Sequence, residues 1–135
     1  MVSKNFFDMQ SKPLKKFDII FAKDGKHCIG ESALVMSGEE NALLQSHMYI
    51  FRTKKNNFLN INQFNLIAEL NSDYVLEQVK KGIFIQGTIS TIGKNIYKIK
   101  IGFLKDNNKL KEQAEEFKKI LETRFNFKNK IKVKW

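Results

Sequence analysis

Apolar positions along this chain change period twice, and each change marks a different kind of element. Residues 17–21 (Phe-Asp-Ile-Ile-Phe) form a short apolar run closed by the turn pair Asp24-Gly25, which predicts a buried strand. Residues 32–36 predict a second strand. Residues 47–52 alternate and predict a third, ending at the Lys54-Lys55-Asn56-Asn57 tip, so that the first half reads as a three-stranded meander. The period then becomes helical. Asn60 is a cap for a helix with Phe64, Ile67, Ala68 and Leu70 inward. Ser72 and Asp73 cap a second helix over residues 74–81, with Val75, Leu76 and Val79 inward and Gly82 as its stop. Residues 83–85 return to extended structure, and residues 96–101 (Ile-Tyr-Lys-Ile-Lys-Ile) read as an alternating strand. Leu110, Ala114, Phe117, Leu121 and Phe125 recur at spacings of four, three, four and four, predicting one amphipathic helix over residues 109–125. Residues 130–135 alternate Lys with Ile, Val and Trp, as either an edge strand or a basic tail would.

These elements predict an α+β fold: a small, mostly antiparallel or mixed sheet, two short central helices and a C-terminal amphipathic helix. At 135 residues the chain is the size of one domain, with a core over about residues 15–104, the helix over 109–125 and a basic tail over 126–135. Composition agrees, since 42% hydrophobic residues with 12 Phe and a single Pro suit a packed globule and not a low-complexity chain.

Charge changes the picture. Lys and Arg exceed Asp and Glu by 24 to 14, a net charge of +10. Residues 31–74 hold three basic and five acidic side chains, so both flanks of the sequence carry the excess. Nucleic acid is the partner class such a balance favours, although lysine-rich surfaces also serve solubility alone. Cys28 has no partner for an internal disulfide, and neither it nor His27 and His47 fall at metal-ligand spacing. Residues 1–16 lack a continuous apolar signal segment, and no stretch approaches the ~20 apolar residues of a membrane span. The expectation is a cytoplasmic protein without cofactor, metal or membrane attachment.

The stretch richest in recognition chemistry is residues 84–94, Phe-Ile-Gln-Gly-Thr-Ile-Ser-Thr-Ile-Gly-Lys. Gly87 lets backbone approach a partner, while Gln86, Thr88, Ser90 and Thr91 offer donors and acceptors of the kind that meet base edges and phosphates. An ordinary polar loop ahead of a strand has the same composition.

Several stretches together resemble a target recognition domain of type I restriction-modification specificity subunits, or the same domain fused to N6-adenine DNA methyltransferases. Residues 17–25 with Ile29-Gly30 resemble that family's "GDIL…DG…IG" opening. The resemblance continues through residues 44–52, Leu70-Asn71-Ser72 with Val75 and Gln78, Gly87-Thr88-Ile89 to Lys98-Ile99, and Leu110-Lys111-Glu112-Gln113, covering roughly residues 15–121. Ile101-Gly102-Phe103-Leu104 stands where the family usually carries an Ile-Pro-Leu-Pro run. Specificity subunits usually hold two such domains and this chain has one, as a half-subunit, a fragment or part of a fused methyltransferase would.

The resemblance implies duplex DNA as ligand, DNA methyltransferase and endonuclease subunits as partners, and docking on a neighbour or a second copy through the C-terminal helix. In the major groove all four base pairs differ, so amide and cationic side chains on loops are the expected readers. The candidate base readers are Gln45, His47, Gln86 and Thr88, with Gly87 and Thr91 beside them. Lys23, Lys26, Arg52, Lys54, Lys55 and Lys94 are the candidate phosphate contacts. His47, inside an apolar strand, reads more simply as a structural histidine.

Catalysis is a weaker expectation. The only proline is Pro13, so the Pro-Pro-Tyr-type motif of an adenine methyltransferase is absent from this chain. Glu116-Phe117-Lys118 has nuclease-like spacing but lies in a helical pattern where the two charges diverge. A single-stranded nucleic-acid or RNA-binding module is the main alternative, because 12 Phe and a net charge of +10 also suit base stacking.

Overall fold

The computed structural model describes residues 7–10, 14–25, 28–36 and 48–134. It is an α+β fold: β1 (Phe7–Gln10), β2 (Ile19–Ala22), β3 (Ser32–Leu34), β4 (Met48–Thr53), α1 (Gln63–Leu70), α2 (Asp73–Gly82), β5 (Phe84–Gln86), β6 (Ile89–Thr91), a 3-10 helix (Gly93–Lys98) and α3 (Asn107–Lys134). The first four strands form an antiparallel sheet in the order β1-β4-β2-β3, and β5 and β6 form a separate hairpin.

This order corrects the meander. β4 pairs with β2 instead of β3, and its other edge is covered by β1, a strand too short for its pattern to stand out. Alternation along β2 and β4 sorts their side chains to two faces. Ile19, Phe21 and Phe51 enter the main core with α1 and α2, while Ile50 joins Leu14 and Val35 on the other face, with Ile20 packed beside them.

The turn that feeds β2 holds an unusual backbone. Phe17 has φ +71, an outlier for a bulky side chain. Its surroundings hold it there: its N–H donates to the Val35 carbonyl at 2.7 Å, its carbonyl accepts from Gln63 Nε2 at 2.7 Å, and its ring meets Phe64 edge-on at 5.2 Å.

α1 begins two residues later than Asn60 suggested. Asn62 caps it, accepting from the Phe64 and Asn65 N–H groups while Asn65 Oδ1 accepts from the Asn62 N–H. Asn60 itself takes φ +56 in the preceding loop. Ser72 caps α2 as expected. The residue that ties the helices together is Asn65, fully buried, whose Nδ2 donates to the Leu110 carbonyl (2.8 Å) and Gln113 Oε1 (3.0 Å) across to α3.

Residues 96–101 are not a strand. Residues 93–98 form the 3-10 helix, and the buried positions are Ile92, Ile96 and Ile99, spaced four and three. Ile96 and Ile99 lie an odd number apart and so cannot share one face of a strand. Gln78 supplies the pairing that a neighbouring strand would have given: its Oε1 accepts from the Lys100 N–H at 2.7 Å and its Nε2 donates to the Lys100 carbonyl at 2.8 Å.

α3 carries the expected stripe. Leu110 and Ala114 are buried, and the partly buried Phe117, Leu121 and Phe125 pack against this domain's own core. The helix also continues through residues 126–134, read from sequence as a basic tail or strand.

Candidate nucleic-acid interface

The candidate residues fall at two ends of the sheet. One group surrounds the β5–β6 hairpin. Phe84 pairs with Thr91, Ile85 with Ser90 and Gln86 with Ile89, so Gly87-Thr88 is a two-residue loop. Gly87 has φ +64 and Thr88 does not share the positive φ, the signature of a type II′ turn, which follows the natural twist of a hairpin. Gln86, Gly87 and Thr88 are exposed at its tip.

The root of the hairpin is stitched to the end of β2. The Ile92 N–H donates to the Lys23 carbonyl at 2.9 Å, the Gly25 N–H donates to the Ser90 carbonyl at 3.1 Å, and Asp24 bridges Thr91. The Thr91 hydroxyl donates to the Lys23 carbonyl at 3.2 Å and accepts from the Gly93 N–H at 3.1 Å. Thr91 is therefore buried in the joint, where its hydroxyl ties the hairpin root to the end of β2. Tyr49 completes the joint by donating from its hydroxyl to the Gly93 carbonyl at 3.3 Å. Burial pushes its phenol above the ordinary tyrosine value, with Tyr97 and Asp24 adding to the rise. Lys23 lies with its ammonium 5.0 Å from the Tyr49 ring centroid, and Lys94 is exposed beside the hairpin root.

The second group lies at the far end of β4. Its six residues span ~20 Å, so Lys54 and Lys55 sit a sheet's length away from the hairpin. Both are exposed on a loop closed by Asn57, whose Nδ2 donates to the Lys54 and Ile61 carbonyls, each at 2.9 Å. Arg52 is committed elsewhere: its guanidinium forms a forked pair with the buried Asp18. Lys26, Gln45 and His47 lie outside the described residues. The structure thus brings together Lys23, Gln86, Gly87, Thr88, Thr91 and Lys94, and separates Lys54 and Lys55 from them.

Sequence reasoning missed the apolar character of the hairpin surface. Ile83, Phe84, Ile85 and Ile89 are 37%, 41%, 74% and 46% exposed. A Gly-X pair flanked by two three-residue β-prone runs was the available signal, since it specifies a two-residue hairpin and turns the run into a protruding ribbon.

Among the described residues no group of His, Cys, Asp or Glu could hold a metal ion, and no helix is long and apolar enough to cross a membrane. No family model matches the chain, and no curated protein is similar to it at a significant level.

Proposed function

We propose that the chain is a sequence-specific duplex DNA-binding domain, supplying target recognition to a restriction-modification methyltransferase or endonuclease complex, and that the β5–β6 hairpin is its reading element. One observation carries this reading. Residues 82–93 contain no charged side chain in a chain of net charge +10, and Lys80, Lys81 and Lys94 bracket them, all exposed. An uncharged two-stranded ribbon between cations has the form needed at a groove: the ribbon meets base edges while the flanking ammonium groups meet phosphates. Three-residue strands give the hairpin a reach of ~10 Å, comparable with the ~8.5 Å depth of the major groove.

The turn before β2 lends independent support to the family resemblance. Phe17 stands where the resembled opening carries glycine, and its φ of +71 is the conformation that glycine adopts readily. Gly30, at the end of the same opening, has φ +94.

A stacking surface for single strands draws less support. Phe21 and Phe51 are buried, and Phe17, Phe64, Phe103, Phe117 and Phe125 pack against the core, while Phe58 and Phe84 are exposed.

The test is enrichment of a binding site from a pool of random duplexes by the purified chain, followed by titration of Gln86→Ala on the enriched site and on scrambled DNA. Loss of a bidentate adenine contact should cost about 1–3 kcal/mol on the enriched site and far less on scrambled DNA. Equal losses on both duplexes would make Gln86 a structural loop residue, and failure to enrich any duplex would overturn the reading.

A further inference from the structure

The hairpin presents more than an amide. Residues directly opposite in an antiparallel pair share a face, so Gln86 and Ile89 project on the same side of the ribbon with Cβ atoms ~5 Å apart. Phe84 shares that side nearer the root, where its ring lies over Gly93, 3.0 Å from where a Cβ would stand. Ile85 and Ser90 occupy the opposite side. At the tip, one face therefore consists of a carboxamide beside a half-exposed branched alkyl group.

We propose that Ile89 is a specificity-determining residue that reads the C5 methyl group of a thymine, in the same base pair as the adenine taken by Gln86 or in the adjoining one. The inference rests on the duplex DNA reading above and deepens it. Adenine offers N7 and N6–H in the major groove, which a carboxamide matches with one donor and one acceptor. Thymine is the only standard base to present an alkyl group there, and an alkyl side chain is the group that gains from covering it. The lysines that flank the ribbon fit this occupant and do not fit an apolar protein surface, because their ammonium groups would lose water without gaining an anionic partner.

The experiment uses the full chain and the duplex it enriches from a random pool. Each thymine of that site is replaced in turn by deoxyuridine, which removes the methyl group and nothing else. One replacement should weaken binding by about fourfold, the worth of one buried methyl group. Against Ile89→Ala the same replacement should have no effect, whereas Ile85→Ala should retain the full discrimination. Both positions are exposed, and unchanged thermal unfolding of each variant verifies the fold. Indifference to uracil at every position, or discrimination that survives Ile89→Ala, would overturn the assignment of Ile89 while leaving the duplex reading intact. A chain that enriches no duplex would remove both.

Discussion

Arg52 grips Asp18 through two parallel hydrogen bonds, Nε to Oδ1 at 2.6 Å and Nη2 to Oδ2 at 2.7 Å. Oδ2 also accepts from the Lys15 N–H at 2.7 Å, so one buried carboxylate ties the turn before β2 to β4. The pair contributes to the fold through its geometry: the side chain of Asp18 is 3% exposed and an unpaired charge there would have little solvent to turn to.

Arg52→Met should therefore destabilise the domain by about 3 kcal/mol, because it leaves Asp18 buried without its partner. Arg52→Lys should recover only part of the loss, since an ammonium cannot reproduce the fork. Urea unfolding measures both. A change in Arg52→Met smaller than about 1 kcal/mol would show the pair to be energetically idle.

Gly30 and Gly87 both have positive φ, but their surroundings differ. A Cβ at Gly87 would meet nothing within 4 Å, while one at Gly30 would stand 3.1 Å from Cγ1 of the buried Val79. Gly87→Ala should cost about 1–3 kcal/mol, from backbone strain alone and felt locally at the hairpin. Gly30→Ala adds overpacking of about 1–3 kcal/mol to its strain and should lower the global unfolding midpoint. The reverse order would contradict the packing of the β2–β3 connection, at Gly30, against Val79 of α2.

Neighbouring residues on α3 give opposite predictions. Leu121 packs on the core whereas Ile120 is 48% exposed. Leu121→Asp should destabilise the domain by about 2 kcal/mol or more, and Ile120→Asp should remain within about 0.5 kcal/mol of the parent. Chemical unfolding and sedimentation together separate loss of fold from loss of a partner. Unfolding that is unaffected by Leu121→Asp would restore the stripe as an assembly surface.

Tyr49 should make the domain sensitive to alkali. Its phenol is held above the ordinary value in the folded state, chiefly by burial, so the native protein keeps a proton that the unfolded chain releases near pH 10. The stabilisation is full below that pH and is lost as pH rises through the higher folded value. Tyr49→Phe should flatten the decline in stability above pH 10. An unchanged profile would show that this group does not govern it.

Salt dependence distinguishes the two ends of the sheet. If about five phosphates are neutralised, log K against log salt should have a slope near −4.5 on duplex DNA. Lys94→Ala should flatten it by about one and weaken enriched and scrambled duplexes alike. On a duplex too short to span the sheet, Lys55→Ala should leave the slope unchanged. A salt-independent affinity would remove the electrostatic basis of binding.

The parts of this fold legible in the sequence are those where a local pattern and its tertiary use coincide. Ser72 capped α2, the apolar runs at Ile19 and Ile50 became paired strands, and the stripe from Leu110 to Phe125 became a helix face. Residues 96–101 were misread because a β-like composition met a core that buries Ile92, Ile96 and Ile99 at helical spacing. Gln78 made that outcome possible from 22 residues away, a contact that no local pattern announces. Strand order was equally hidden, since β4 reaches β2 past the intervening β3. For the candidate site, the sequence located the polar tip but not its neighbours: Arg52, named as a phosphate contact, is paired with Asp18, and Lys54 and Lys55, named as phosphate contacts together with Lys23, lie at the other end of the sheet.

That separation sets a minimum footprint. β4 holds the Gly87 hairpin and the Lys54-Lys55 loop ~20 Å apart, and stacked base pairs rise ~3.4 Å each, so one duplex must run for about six base pairs along the sheet before it can touch both ends. Affinity measured against duplex length should then climb in two stages, the first when the hairpin's own few base pairs are present and the second when the helix grows long enough to arrive beneath the distant lysines.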